Sequence, residues 1–242
     1  MIKKGLFIKQ GNLFFKYRSY LPIPIIFLAS YIYYISTLIY LDSNFFIYCL
    51  TFSLVGLLIR IYAVGYSFSR TSGRNTKSQV ASKLNTTGIY SIIRHPLYLA
   101  NFCIWLGISF LTYNVIFILF SIIFYCFIYG TIILAEEEFL TKKFQKEYKY
   151  YSSVTPAIIP NFSKWRAPVI NFNLRKVIMN EKNGLMGIFT IYYFFNCIDV
   201  FKIYGYYYEI NSIFYLFISS VIFYLSIKIL QKINKIYFDS SI

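Results

Sequence analysis

One histidine serves the whole chain, and its neighbours give it a chemistry. Arg94, His95, Pro96, Leu97 and Tyr98 are consecutive, with Gly88 and Tyr90 just upstream. Further along, Glu136, Glu137 and Glu138 hold three of the nine acidic residues. An imidazole is the one side chain whose ordinary pKa lies close to neutrality, so it can hold or release a proton there. Carboxylates accept hydrogen bonds from ammonium and hydroxyl groups, and tyrosine faces attract a cation. The meeting of these groups is read as an active site. Successive helical residues point about 100° apart, so three adjacent glutamates cannot all face one cavity. At least one of them is expected in solvent.

The segments between the two clusters decide whether they meet. Residues 97–111 and 115–135 are apolar, and Thr112, Tyr113 and Asn114 between them suffice only for a hairpin turn. Each apolar run approaches the roughly 20 residues that a bilayer core requires. Two crossings return the chain to its starting side, so the basic-aromatic and acidic clusters are expected at one membrane face. Composition agrees: 58% of residues are hydrophobic and 22% aromatic, and mean hydropathy is +0.56. That is the composition of a polytopic membrane protein. The formal charge of +15 falls in short segments between apolar runs, the positive-inside pattern, and leaves no solvated basic face for nucleic acid.

The rest of the chain extends this reading to an all-α transmembrane bundle of about six spans. Residues 1–20 carry five cations and no acid, and are expected on the cytoplasmic side. A first span is expected at 21–41, with Pro22 and Pro24 in its first turn, and a second at 45–66. Residues 67–94 hold Arg70, Arg74, Lys77, Lys83 and Arg94 with no acid, in a loop rich in turn residues. Spans follow at 97–111 and 115–135, then a charged helix over 139–153. Residues 161–184 read as basic and irregular, and two last spans are expected at 185–204 and 211–230, either of which could instead be re-entrant because Asp199 interrupts the fifth. The chain thus divides into an N-terminal two-span region (1–66), a core (67–160) and a C-terminal extension (161–242). Within the expected spans, Arg60 and Asp199 are the charges to explain, and the sequence shows a partner for neither. Cys49, Cys103, Cys126 and Cys197 are scattered through apolar runs, so neither disulfides nor a metal site is expected.

Taken in order, the pattern is Gly88-x-Tyr90, RHPxY from Arg94, two apolar segments, Glu136-Glu137-x-x-Leu140, Phe144, Tyr148, Tyr151 and Pro160. It resembles the isoprenylcysteine carboxyl methyltransferase and phospholipid methyltransferase family of integral-membrane enzymes. The resemblance spans residues 84–160. It implies S-adenosylmethionine as methyl donor, bound on the cytoplasmic side beneath the spans. It implies a cofactor pocket lined by Leu84, Tyr90, His95, Pro96, Leu97 and Tyr98, with Glu136, and Glu137 beside it, holding the cofactor's hydroxyl or ammonium groups. Both termini and the site would then face the cytoplasm, at a bacterial inner membrane.

Two departures bear on the acceptor. Where the carboxyl methyltransferases carry an arginine one turn before the glutamates, this chain has Ile132, and Gln145 stands where glycine is usual. What it has instead is the acid-free loop. Residues 72–77 resemble a bacterial branch that methylates lipid phosphate of the lipid A kind, and arginine forks suit phosphate oxygens. Arg94, Arg74, Lys77 and Arg60 are therefore the candidates for holding a substrate anion. The expected partner is a membrane lipid, O-methylated on a phosphate or a prenylcysteine-like carboxylate. Two competing readings remain: an NADPH-dependent membrane reductase of the sterol type, whose usual RHPNY differs at Leu97, and a non-enzymatic scaffold or transporter.

Overall fold

A computed structural model describes residues 2–37, 41–68, 71, 79–206 and 208–239. Among these the regular structure is helical and no strand forms. The helices are α1 (Ile2–Tyr17), α2 (Pro22–Ile35), α3 (Ser43–Gly65), the single turn α4 (Ile89–Ile92), α5 (Pro96–Phe110), α6 (Val115–Val154), α7 (Leu174–Tyr204) and α8 (Ser212–Asp239). Short polar side chains open several of them. Asp42 accepts from the Phe45 N–H, Asn114 from Phe117 and Asn173 from Lys176, each satisfying a donor that the first helical turn leaves over.

Helices α3 and α5 run side by side through the centre, with α6 against α5, α7 against α3, and α8 against α7. Tyr33, Cys49, Leu57, Ile104, Ile108, Leu111, Phe117, Tyr192 and Phe195 fill the interior. The Ser53 hydroxyl donates to the Ile104 carbonyl (3.0 Å) and lies 2.9 Å from the Tyr192 hydroxyl, tying α3, α5 and α7 together. The outside is apolar: Ile116 and Ile123 on α6 and Tyr215, Ile222 and Ile229 on α8 are all exposed. Four helices, α3, α6, α7 and α8, are long and apolar enough to cross a membrane; α2 and α5 are apolar but shorter. An apolar exterior around helices that satisfy their own backbone groups suits a bilayer, while the buried Ser121 and Tyr125 hydroxyls on α6 have no hydrogen-bond partner among the described residues.

Two expectations are corrected, and one segment gains a structure the sequence had not assigned. The first span, expected over 21–41, is a helix of only 14 residues ending at Ile35. The N-terminal segment is helix α1, which packs antiparallel along α6. Gly11 faces Thr131 so closely that a Cβ there would lie 2.0 Å from the Thr131 carbonyl oxygen, and Phe14 meets Phe127 edge-on. Between α1 and α2 the helix breaks at residues 18–21. The second correction concerns residues 174–184, expected to be irregular: they form the first turns of α7, which runs for 31 residues from its Asn173 cap.

Asp199 also has company. The buried Tyr33 hydroxyl donates to its carboxylate, and the Lys202 ammonium donates to the carbonyls of Tyr33 (3.1 Å) and Ser36 (3.2 Å). This cluster fastens the end of α2 to α7, at the opposite end of the bundle from Glu181.

Candidate active site

The motif loop is held from behind by residues 156–173, an irregular stretch with one 3-10 turn at Phe162–Lys164. Backbone N–H groups of Arg94 and His95 donate to the carbonyls of Pro156 (2.9 Å) and Ala157 (3.1 Å). Asn161 donates to Ile92 (2.9 Å), and Gly88 donates to Arg166 (2.8 Å). The Arg166 N–H donates to the Ser91 hydroxyl at 2.9 Å. Gly88 has φ +61° and ψ −137°, a conformation reserved in practice for glycine, and it turns the chain into α4. Tyr90 on α4 is fixed by the Tyr151 hydroxyl, which donates to its carbonyl at 2.6 Å. Burial, with the nearby Glu136 charge, pushes the Tyr90 phenol above its usual range, so it stays neutral at physiological pH.

Pro96 opens α5, and the residue before a proline is steered away from helical dihedrals. His95 accordingly has φ −121° and ψ 58°, and its ring makes no capping bond to the helix. It turns instead toward α6. Its Nε2 lies 3.3 Å from Glu137 Oε1 and its Nδ1 lies 3.7 Å from Glu136 Oε2. The Tyr98 hydroxyl donates to Glu136 Oε2 at 2.6 Å. The three glutamates divide as helical geometry requires. Glu136 faces the interior hollow, Glu137 faces Arg94 and His95, and Glu138 pairs with Lys142 near the surface (2.9 Å).

That hollow has a volume of about 880 Å³. Leu84, Tyr90, Arg94, His95, Pro96, Leu97, Tyr98 and Glu136 all line it; Glu137 stands behind them. From His95 an aromatic series runs along the α5–α6 seam through Tyr98, Tyr129 and Tyr125 to Trp105, with ring centroids 5.5–6.0 Å apart. Tyr98, Tyr129 and Trp105 belong to the cavity wall. Phe15, Arg18 and Pro22 close it at the α1–α2 break, and Asn180, Glu181 and Asn183 close it from α7.

Of the four cations singled out for a substrate anion, Arg74 and Lys77 lie outside the described residues. Arg94 lines the cavity but turns two nitrogens onto Glu137 Oε1 (3.1 and 2.6 Å) and another onto the carbonyls of Ser152 and Thr155. Arg60, for which the sequence showed no partner, has one: Nε and Nη2 grip the two oxygens of Glu181 (2.7 and 2.9 Å), while Nη1 donates to Asn101 Oδ1 (2.6 Å). Sequence reasoning missed Glu181 because its helix was read as irregular. The available signal was a lone acid about two turns beyond an Asn cap, just after a short apolar run. The same reasoning counted Arg18 only among the cations of the N-terminal segment and gave it no place in the site.

Residues 47–147 match the phospholipid methyltransferase family. The matched stretch runs from α3 into α6 and holds the motif loop, His95 and both cavity-facing clusters, as the resemblance implied. Two curated relatives are similar over a shorter reach. The nickel-cobalt-cadmium resistance protein NccN of Alcaligenes xylosoxydans xylosoxydans is 32% identical over 36% of this chain and 40% of its own length. The cobalt-zinc-cadmium resistance protein CzcN of Cupriavidus metallidurans is 33% identical over 39% of this chain and 41% of its own. The alignments thus span about two fifths of these relatives. No solved structure matches. Among the described residues no group of three or more His, Cys, Asp or Glu side chains is arranged to hold a metal ion.

Proposed function

We propose that this protein is an S-adenosylmethionine-dependent methyltransferase of the membrane, acting on a lipidic acceptor. One observation carries the reading: His95, Tyr98 and Glu136 share a wall of one cavity at the end of an apolar bundle. The residues fit the cofactor. A volume of about 880 Å³ lies in the range of small-molecule sites, roughly 300–1,000 Å³. Glu136 offers a carboxylate for ammonium or hydroxyl groups, and the faces of Tyr90, Tyr98 and Tyr129 surround space suited to a cation. When bound, the cofactor supplies an activated methyl group.

The chain's own residues hold and orient. Tyr98 fixes one oxygen of Glu136 and leaves the other for a ligand. Glu137 binds Arg94 and steadies the imidazole, so that His95 keeps its direction. The core over residues 67–160 supplies the cofactor wall. The apolar wall at Trp105 and Tyr129 faces the membrane part of the bundle and suits an acceptor arriving from the bilayer. Holding two reactants in line contributes most of the rate when the acceptor is already an anion, as a lipid phosphate or a prenylcysteine-like carboxylate would be. Arg18 and Lys83 line the cavity and are the cations suited to such an anion. The site and both termini are taken to face the cytoplasm, in a six-crossing topology in which α1 and α2 together make the first crossing.

The test is a titration of the purified protein in lipid nanodiscs with S-adenosylmethionine and, separately, with NADPH. Saturable binding of the first supports the reading. Binding of NADPH alone would favour the reductase.

A further inference from the structure

The family match ends at residue 147, yet the cavity does not end there. Its far wall is α7, beginning at Asn173 in the C-terminal extension. Glu181 is buried, 4% exposed, and lines the cavity together with Arg60. A guanidinium has five N–H donors in a fixed fork. Here Glu181 takes two and Asn101 takes one. Two donors remain on a side chain that faces the cavity, while the pair as a whole carries no net charge. Such a group is built to hydrogen-bond an oxygen, and its neutralised charge makes it a poor trap for a free anion. It lies beside Asn101, Trp105 and Tyr129, at the membrane end of the hollow, whereas His95 and Glu136 occupy the motif-loop end.

Resting on the methyltransferase reading, we propose that α7 completes the active site: Glu181 fixes Arg60 so that its two remaining N–H groups hold a headgroup oxygen of the lipid acceptor. Glu181 is then a positioning residue, acting through Arg60, and Arg60 is an acceptor-binding residue. Cofactor binding does not depend on either. The C-terminal extension thereby sets which lipid is methylated.

The experiment uses the full-length protein in vesicles of mixed phosphatidylethanolamine and phosphatidylglycerol, supplemented with the lipid extract of the cell's own membrane. Affinity for S-adenosylmethionine, methyl-label transfer from it to lipid, and melting temperature are measured for each variant. Glu181→Gln is expected to bind cofactor within about twofold of the wild type while losing at least tenfold in kcat/KM for the lipid, chiefly through KM. Because removing one partner of a buried pair can unfold the chain, the double variant Arg60→Met/Glu181→Leu is made alongside. It restores an apolar, packed pair, and it is expected to keep the melting temperature and cofactor affinity yet remain defective in transfer. Recovery of transfer by that double variant would reduce the pair to a structural tie and overturn the inference. So would wild-type transfer rates in Glu181→Gln, or a loss of cofactor affinity equal to that of His95→Ala. A wild type that fails to bind the cofactor at all would instead remove the methyltransferase reading beneath the inference.

Discussion

The Tyr98 hydroxyl lies 2.6 Å from Glu136 Oε2, a bond that joins the first turn of α5 to the middle of α6 across the cavity wall. It is short, as hydrogen bonds to a charged acceptor are, and such bonds contribute about 1.5–3 kcal/mol. Tyr98→Phe keeps the ring and its stacking but frees Glu136. The variant is expected to fold normally and to bind S-adenosylmethionine about tenfold more weakly, as measured by calorimetry in nanodiscs.

Adjacent glutamates should behave differently. Glu137 is engaged with Arg94, and both are largely shielded from solvent, so Glu137→Gln leaves a charged guanidinium short of its partner. A loss of about 1–3 kcal/mol in stability is expected. Glu136→Gln faces the cavity and should change the melting temperature little while weakening the cofactor. Thermal unfolding of the two variants side by side checks the order; equal shifts would contradict it.

Gln145 sits inside α6 at φ +43° and ψ −111°, where the helix kinks. A non-glycine residue in such a region costs on the order of 1–3 kcal/mol. The kink aims the following segment so that Tyr148 and Tyr151 reach the cavity wall. Gln145→Gly is therefore expected to raise the melting temperature, by an amount equivalent to about 1 kcal/mol, with the cofactor affinity unchanged. A bulky β-branched residue, as in Gln145→Val, should lower it.

Gly11 is the contact on which α1 closes against α6. A methyl group there meets the Thr131 carbonyl at 2.0 Å and the Ala135 side chain at 2.9 Å, so the helices must separate. Gly11→Ala is expected to cost about 1–3 kcal/mol and, by displacing the break that carries Arg18, to reduce methyl transfer. Gly5→Ala, where nothing lies within 4 Å, is the neutral comparison.

Much of this arrangement was legible in the sequence. RHPxY, the glutamates and the two apolar runs between them predict one shared face, because chain length and hydropathy alone dictate a hairpin of crossings. The Asn114 and Pro96 signals fix where α5 and α6 begin. What the sequence hid has physical causes. The five cations of residues 1–20 marked a cytoplasmic segment and hid α1, and the apolar window over 21–41 did not register that its helix ends at Ile35. The first turns of α7 carry Arg175, Lys176, Lys182 and the lone Glu181, and their high polarity masked a helix whose polar face is turned inward. The partners of Arg60 and Asp199 lie on helices distant in sequence, and nothing local announces a pairing that only the packing of α3 and α2 against α7 creates. Gln145 was visible as an unusual residue, but the reason for a glycine there, a positive φ, belongs to the folded backbone.

The central claim is that the hollow between His95 and Glu136 holds S-adenosylmethionine. Its most direct test is isothermal calorimetry of the full-length protein in nanodiscs against that cofactor, for the wild type, His95→Ala and Glu136→Ala. The account predicts saturable one-site binding by the wild type, weakened at least tenfold in each variant with melting temperatures little changed. Binding equally strong in all three proteins, or absent in a folded wild type, would contradict it.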